Sequence, residues 1–195
     1  MESYKIDRLR VVVDALTARA GLNLDLSITV DAVRWAAAFD VKGVWRRSPT
    51  TLIVHEEIAE QWPEDALAGL VAHQLGYVAL GYIHDGFILH AARLVLPGAA
   101  AVVAARGALT SQFVMLMVAI GLFLGERFVS WVLRRRVYAA DRFAVDLVGS
   151  APVRSMLQLL DAAGGVQGVI IRHMASNTHP TYEQRLRARP VRSRA

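Results

Sequence analysis

Two apolar runs lie end to end in the middle of this 195-residue chain, and they restrict its possible folds more than any other feature. The first spans Gly86 to Ala105, with only His90 and Arg93 as polar interruptions. Arg106-Gly107 reads as a break, and a second run begins near Ser111. Phe113 to Gly125 carries no charge; Glu126 and Arg127 then interrupt before the run continues from Phe128 to Leu133. Each run is long enough to cross a hydrocarbon core of roughly 30 Å. The alternative is a buried helical hairpin in a soluble domain, but two adjacent runs of this length exceed ordinary core helices. The second run is the stronger span, because the first contains Pro97 and an arginine that must snorkel or pair. A hydrophobic fraction of 54% agrees, being above that of an ordinary soluble domain.

The placement of charge gives the hairpin an expected orientation. Arg134-Arg135-Arg136 follows the second run, whereas the connecting turn carries only Arg106. By the positive-inside rule the tip faces outward, and both termini and the folded domain are cytoplasmic. The other basic cluster is the tail from Arg185 to Arg194. A net charge of +5 made of two clusters is the generic mark of nucleic-acid binding. Here the first cluster is better explained as an anchor to anionic lipid, at about 1 kcal/mol per charge, and no nucleic-acid partner is expected. The chain has no cysteine, which excludes disulfides, thiolate catalysis and cysteine-ligated zinc.

Around the hairpin the pattern is mixed. Ile6 to Ala20 reads as a helix with Leu9, Val12, Val13 and Leu16 on one side and Gly21 as its stop. Leu26 to Val30, Val41 to Trp45 and Thr51 to His55 read as strands of a small sheet, and residues 33–38 fit either a strand or a helical turn. Trp62-Pro63-Glu64-Asp65 is a helix entry, with Pro near the first turn and acids complementing the dipole. Past the hairpin, helices are expected over Val137 to Val148, over Pro152 to Ala163, and from Ser176-Asn177-Thr178-His179-Pro180 through Arg189.

The chemistry-bearing stretch lies in the run from Glu64 to Tyr82, with apolar residues at Leu67, Leu70, Val71, Leu75, Val78 and Tyr82. That spacing is helical and sets positions 73 and 77 one turn apart on one face. Zinc hydrolases use His-Glu-x-x-His in such a place, two imidazoles for the metal and a glutamate to activate its water. This chain has His73-Gln74-Leu75-Gly76-Tyr77.

The order of features resembles the membrane-embedded zinc metallopeptidases typified by the heat-shock protease HtpX and the CAAX prenyl proteases. Ala66 to Tyr77 looks like the family helix ending in Ala-His-Glu-x-x-His, and a membrane hairpin follows it. Arg136-Val137-Tyr138-Ala139-Ala140-Asp141 resembles Arg-Glu-x-x-Ala-Asp, whose glutamate is the third zinc ligand. Thr178-His179-Pro180 with Arg185 resembles the late Thr-His-Pro…Arg motif near the substrate site. The resemblance covers about residues 10–188. It implies an α+β, mainly helical, zincin-like metallopeptidase domain with a small N-terminal sheet and an inserted transmembrane hairpin. Residues 1–85 and 134–195 would form the two halves of the domain and 86–133 the hairpin.

The departures fall on the reacting positions. His73 matches the first zinc ligand, Asp141 and His179 match accessory positions, and Arg185 matches the late basic position. Gln74 replaces the general base, and an amide accepts no proton from water at neutral pH. Tyr77 replaces the second histidine with a poor zinc ligand, and Val137 replaces the glutamate with no donor at all. A catalytic zinc needs three protein ligands and an open position. One remains, so no zinc and no catalytic residue are expected. His84, eleven residues along the same helix, would lie about 16 Å from His73; His55 or His179 would have to approach through the fold. In place of a metal, His73 is expected to bond Asp141, Tyr77 or Gln74, and Asp141 to cap a helix or pair with an arginine.

The expected protein is therefore a catalytically inactive relative, bound in the inner membrane of a bacterium, whose alanine- and arginine-rich composition suits a high-GC genome. It would act by binding membrane lipids and integral membrane partners, as an accessory or scaffold subunit. The alternatives are a metallopeptidase whose metal site is rebuilt from His73, His179 and Asp141, a regulator of an active HtpX-like protease, and a lipid- or nucleic-acid-binding protein using the basic tail.

Overall fold

The computed structural model describes residues 2–24, 26–31, 37–40, 51–110, 113–163 and 180–187. The expected strand at Val41 to Trp45, the glycine-rich stretch after Ala163 and the turn at Ser176 to His179 lie outside them. The fold is mainly helical.

Helix α1 (Glu2–Arg19) buries Leu9, Val12, Val13 and Leu16, the stripe expected of its 3-and-4 spacing. It ends at Gly21, whose φ of +65° lets the Leu22 N–H reach back to the Thr17 carbonyl. Strands β1 (Ser27–Asp31), β2 (Ala37–Asp40) and β3 (Thr51–His55) form one sheet in the order β1-β3-β2. β3 is central, parallel to β1 and antiparallel to β2. Leu52, Ile53 and Val54 are all buried, as a strand covered on both faces requires. Of the ambiguous stretch 33–38, residues 37 and 38 open β2, and 33–36 lie outside the described residues.

A short helix α2 (Glu56–Gln61), which the sequence reading omits, follows β3 directly. His55 caps it, accepting the Glu57 N–H at Nδ1. Arg8 of α1 ties down its end by donating to the Trp62 carbonyl at 2.7 Å. Helix α3 (Glu64–Ala79) is the centre of the domain, packed by α1, α5 and α6 and buried on nearly every face. It stops three residues short of the expected Tyr82. The apolar spacing runs on, but Gly81 takes φ +70° and the Tyr82 N–H turns back to the Tyr77 carbonyl, closing the helix.

Helices α4 (Ile83–Thr110) and α5 (Phe113–Val148) form the hairpin. Arg106-Gly107 does not break α4; it continues to Thr110 with Gly107 buried, and passes through Pro97. Both helices are long and apolar enough to cross a membrane, with mean hydropathy of 1.4 over Ala91–Leu109 and 1.8 for the second. Their outer faces expose Val95, Val102, Phe113, Leu116, Phe123 and Phe128, an apolar surface far larger than a water-facing helix pair tolerates. Inside the hairpin, buried Ser130 donates to buried Glu126 at 2.8 Å. α5 runs without interruption from the hairpin into the domain.

Helix α6 (Ser150–Ala163) packs Val153, Met156 and Leu157 onto α3. The crossing is close because Gly69 has no side chain: a Cβ there would stand 2.5 Å from the Pro152 carbonyl oxygen. Helix α7 (Tyr182–Arg187) lies on α6. Thr181 and Gln184 start it reciprocally, each side chain accepting the other's backbone N–H at 3.1 Å.

Candidate functional site

Three elements meet at His73. α3 supplies His73 and, one turn on, Tyr77; α5 supplies Val137 and, one turn on, Asp141; α7 supplies Arg185. Gly76 makes the meeting possible, since a Cβ on it would lie 3.0 Å from the Ala140 Cα. The backbones of α3 and α5 therefore touch one residue away from Tyr77 and from Asp141.

His73 Nδ1 is 2.9 Å from Asp141 Oδ1. Arg185 grips the same carboxylate with two donors, Nη2 to Oδ1 at 2.6 Å and Nε to Oδ2 at 2.8 Å. This is the forked, charge-assisted geometry in which guanidinium and carboxylate pair most strongly. Burial would raise the Asp141 pKa, but the hydrogen bonds from Arg185 and His73 outweigh it and hold the carboxyl at about 2. Burial pulls the His73 pKa below its ordinary 6.5, against the raising influence of Asp141. At neutral pH the imidazole is therefore neutral beside an ionised carboxylate. A carboxylate only accepts, so the imidazole proton sits on Nδ1 and Nε2 keeps its lone pair. Arg185 Nη2, at 3.4 Å from Nδ1, then faces a donor and spends its proton on Asp141.

Tyr77 presents its ring edge-on to the imidazole, with centroids 5.3 Å apart. Burial pushes its phenol up to about 12, so it stays protonated. Tyr82 packs edge-on to Tyr77 at 6.3 Å, and the Arg136 guanidinium lies 4.8 Å above the Tyr82 ring. Val137 is buried, at 2% exposure. Gln74 is half-buried on α3.

Of the residues singled out by sequence, the fold brings His73, Tyr77, Asp141 and Arg185 together, and His179 lies outside the described residues. His73 bonds Asp141, and Asp141 pairs with an arginine, as expected. The expectation for His84 is corrected: α3 ends at Ala79, so His84 belongs to the next helix. His55 is committed to the α2 cap. The Tyr82–Arg136 stack was not singled out, although an aromatic just past the helix stop was its only local sign.

A zinc ion does not fit these donors. Among the described residues no group of three or more His, Cys, Asp or Glu is placed to hold a metal. Beside His73 stand a carboxylate already held by arginine and a phenol that keeps its proton.

The fold is a mainly helical domain with a hairpin of two candidate membrane spans. The model described as Peptidase family M48 matches residues 5–190, and the chain belongs to that family. No curated protein and no solved structure matches it.

Proposed function

We propose that this chain is a catalytically inactive member of its family, anchored in the membrane by α4 and α5, that works by binding as an accessory or scaffold subunit of a membrane complex. The observation that carries this reading is the closed ion pair at the old reaction centre. Both oxygens of Asp141 are taken by Arg185, His73 donates to the same carboxylate, and the ring beside the imidazole is the Tyr77 phenol. Gln74 supplies no base. The hairpin of α4 and α5 offers a surface for helix packing within lipid. The Arg134–Arg136 cluster favours a cytoplasmic domain with both termini on that side.

One feature favours a second reading, a rebuilt metal site. Nδ1–H donation to a carboxylate, with Nε2 left bare, is how metal-binding histidines are commonly oriented. It would need two further donors beyond those around His73.

The reading is tested by purifying the full chain from its own membranes in mild detergent and raised salt. A constant set of integral membrane partners, with no peptide hydrolysis, supports it. Hydrolysis abolished by His73→Ala would favour the rebuilt site, and a chain that purifies alone would end the subunit reading.

A further inference from the structure

Where α5 leaves the hairpin, its two sides differ. Leu133, Val137, Ala140 and Ala144 are buried in the protein. On the opposite side Trp131, Arg135, Tyr138 and Arg142 follow at steps of four, three and four, so they share one face. Trp131, Arg135 and Arg142 are exposed, and Tyr138 is half-buried. Phe128, exposed on the tip side of Trp131, stacks on its ring at 5.8 Å. The face thus passes from apolar to cationic within a few turns.

Arg135 lays its guanidinium 4.5 Å over the Trp131 ring, a cation–π contact that holds the charge where the apolar run ends. Among the described residues no carboxylate stands within ion-pairing distance of Arg135 or Arg142. The two arginines are two turns apart, about 10 Å along the axis. Side chains lean toward the N-terminus of their helix, and for α5 that is the hairpin side. Both stems therefore leave the backbone toward the headgroup layer.

We propose that this face is a binding site for one anionic phospholipid, its phosphate held by Arg135 and Arg142 and an acyl chain laid beside Trp131 and Phe128. The inference rests on the reading of α4 and α5 as a membrane anchor. It goes beyond the attraction of an arginine cluster to a charged surface, because Arg142 lies outside that cluster and the indole fixes where Arg135 stands. A guanidinium matches phosphate oxygens in its fork, and Trp and Tyr favour the membrane interface. An acidic protein segment would satisfy the arginines but not the apolar step beside them.

The test exchanges the full chain, in detergent, into equal amounts of phosphatidylglycerol and phosphatidylcholine and counts bound lipid by native mass spectrometry. One phosphatidylglycerol should be retained over phosphatidylcholine by roughly tenfold or more. Arg135→Gln and Arg142→Gln should each lower that preference about fivefold, and Arg135→Lys less. Arg154→Gln, which removes an exposed charge from α6, should leave it unchanged. Unfolding midpoints should match the natural chain, since the replaced side chains are exposed.

Equal retention of the two lipids, or as large a loss from Arg154→Gln, would overturn the site. So would a co-purifying acidic protein that displaces the lipid and is shed when both arginines are replaced. If the lipid preference is absent while membrane partners stay bound in raised salt, the subunit reading stands without this site. A chain that purifies alone yet keeps its phosphatidylglycerol would end the subunit reading and leave the site.

Discussion

Arg185 and Asp141, 44 positions apart in sequence, form a forked ion pair beneath α7, with both carboxylate oxygens within 2.8 Å of the guanidinium. Their side chains are 7% and 12% exposed. The pair joins the last described helix to α5, and through His73 to the centre of α3. It occupies the place where the family resemblance implies an accessory carboxylate.

Removing one partner from such a buried pair leaves the other charge uncompensated. Arg185→Met should cost roughly 3–5 kcal/mol, read as a lower unfolding midpoint in detergent. Adding Asp141→Asn should recover part of that loss, because the orphaned charge is then gone; strict additivity would contradict the pairing.

Acid should weaken the fold in two windows. His73 has a folded pKa below 6.5, so below that value the unfolded chain takes up a proton that the folded chain refuses. Stability therefore falls as pH drops from about 6.5, and His73→Gln should flatten this limb. Asp141 shifts from 3.8 to about 2, so its contribution is complete above the unfolded value and is lost as pH falls through the folded one. That second limb amounts to about 2 kcal/mol. A pH titration of the denaturation midpoint checks both.

Much of this architecture can be read from the chain, and the exceptions have physical causes. The stop at Gly21 and the end of α5 at Gly149 follow from glycine after an apolar run, and both take positive φ. The stop at Gly81 was hidden because Val78 and Tyr82 keep the helical spacing across it. Arg106-Gly107 looked like a turn, yet α4 continues through it to Thr110, since one glycine within a helix costs only about 1 kcal/mol. The order of the motifs offered Asp141 as one of three partners for His73, but did not name Arg185 as the arginine that holds Asp141, since no periodicity spans 112 positions. The α2 cap and the Tyr82–Arg136 stack depend on contacts between elements, which spacing alone does not carry.

The close helix crossings give a contrast between glycines. Gly69→Ala would press a Cβ to 2.5 Å from a carbonyl oxygen of α6, and Gly76→Ala to 3.0 Å from the Ala140 Cα. Overpacking of this kind costs roughly 1–3 kcal/mol. Gly98 meets nothing within 4 Å, and Gly98→Ala in mid-α4 should be neutral or stabilising by up to about 1 kcal/mol. Midpoints for the three variants in one detergent should fall in that order.

Adding donors at two positions should make the fold respond to metal. Tyr77→His puts a second imidazole one turn from His73 on α3, and Val137→Glu a carboxylate one turn from Asp141 on α5, at a position only 2% exposed. Without metal that buried carboxylate should lower the midpoint, and added Zn²⁺ should raise it again. No response to Zn²⁺ would mean that His73 and these two positions do not converge.

The most direct measurement is the zinc content of the natural full-length chain, purified in detergent without chelators and analysed by mass spectrometry. The closed Arg185–Asp141–His73 arrangement predicts no stoichiometric zinc. About one zinc per chain, lost on His73→Ala, would contradict it and establish a working metal site.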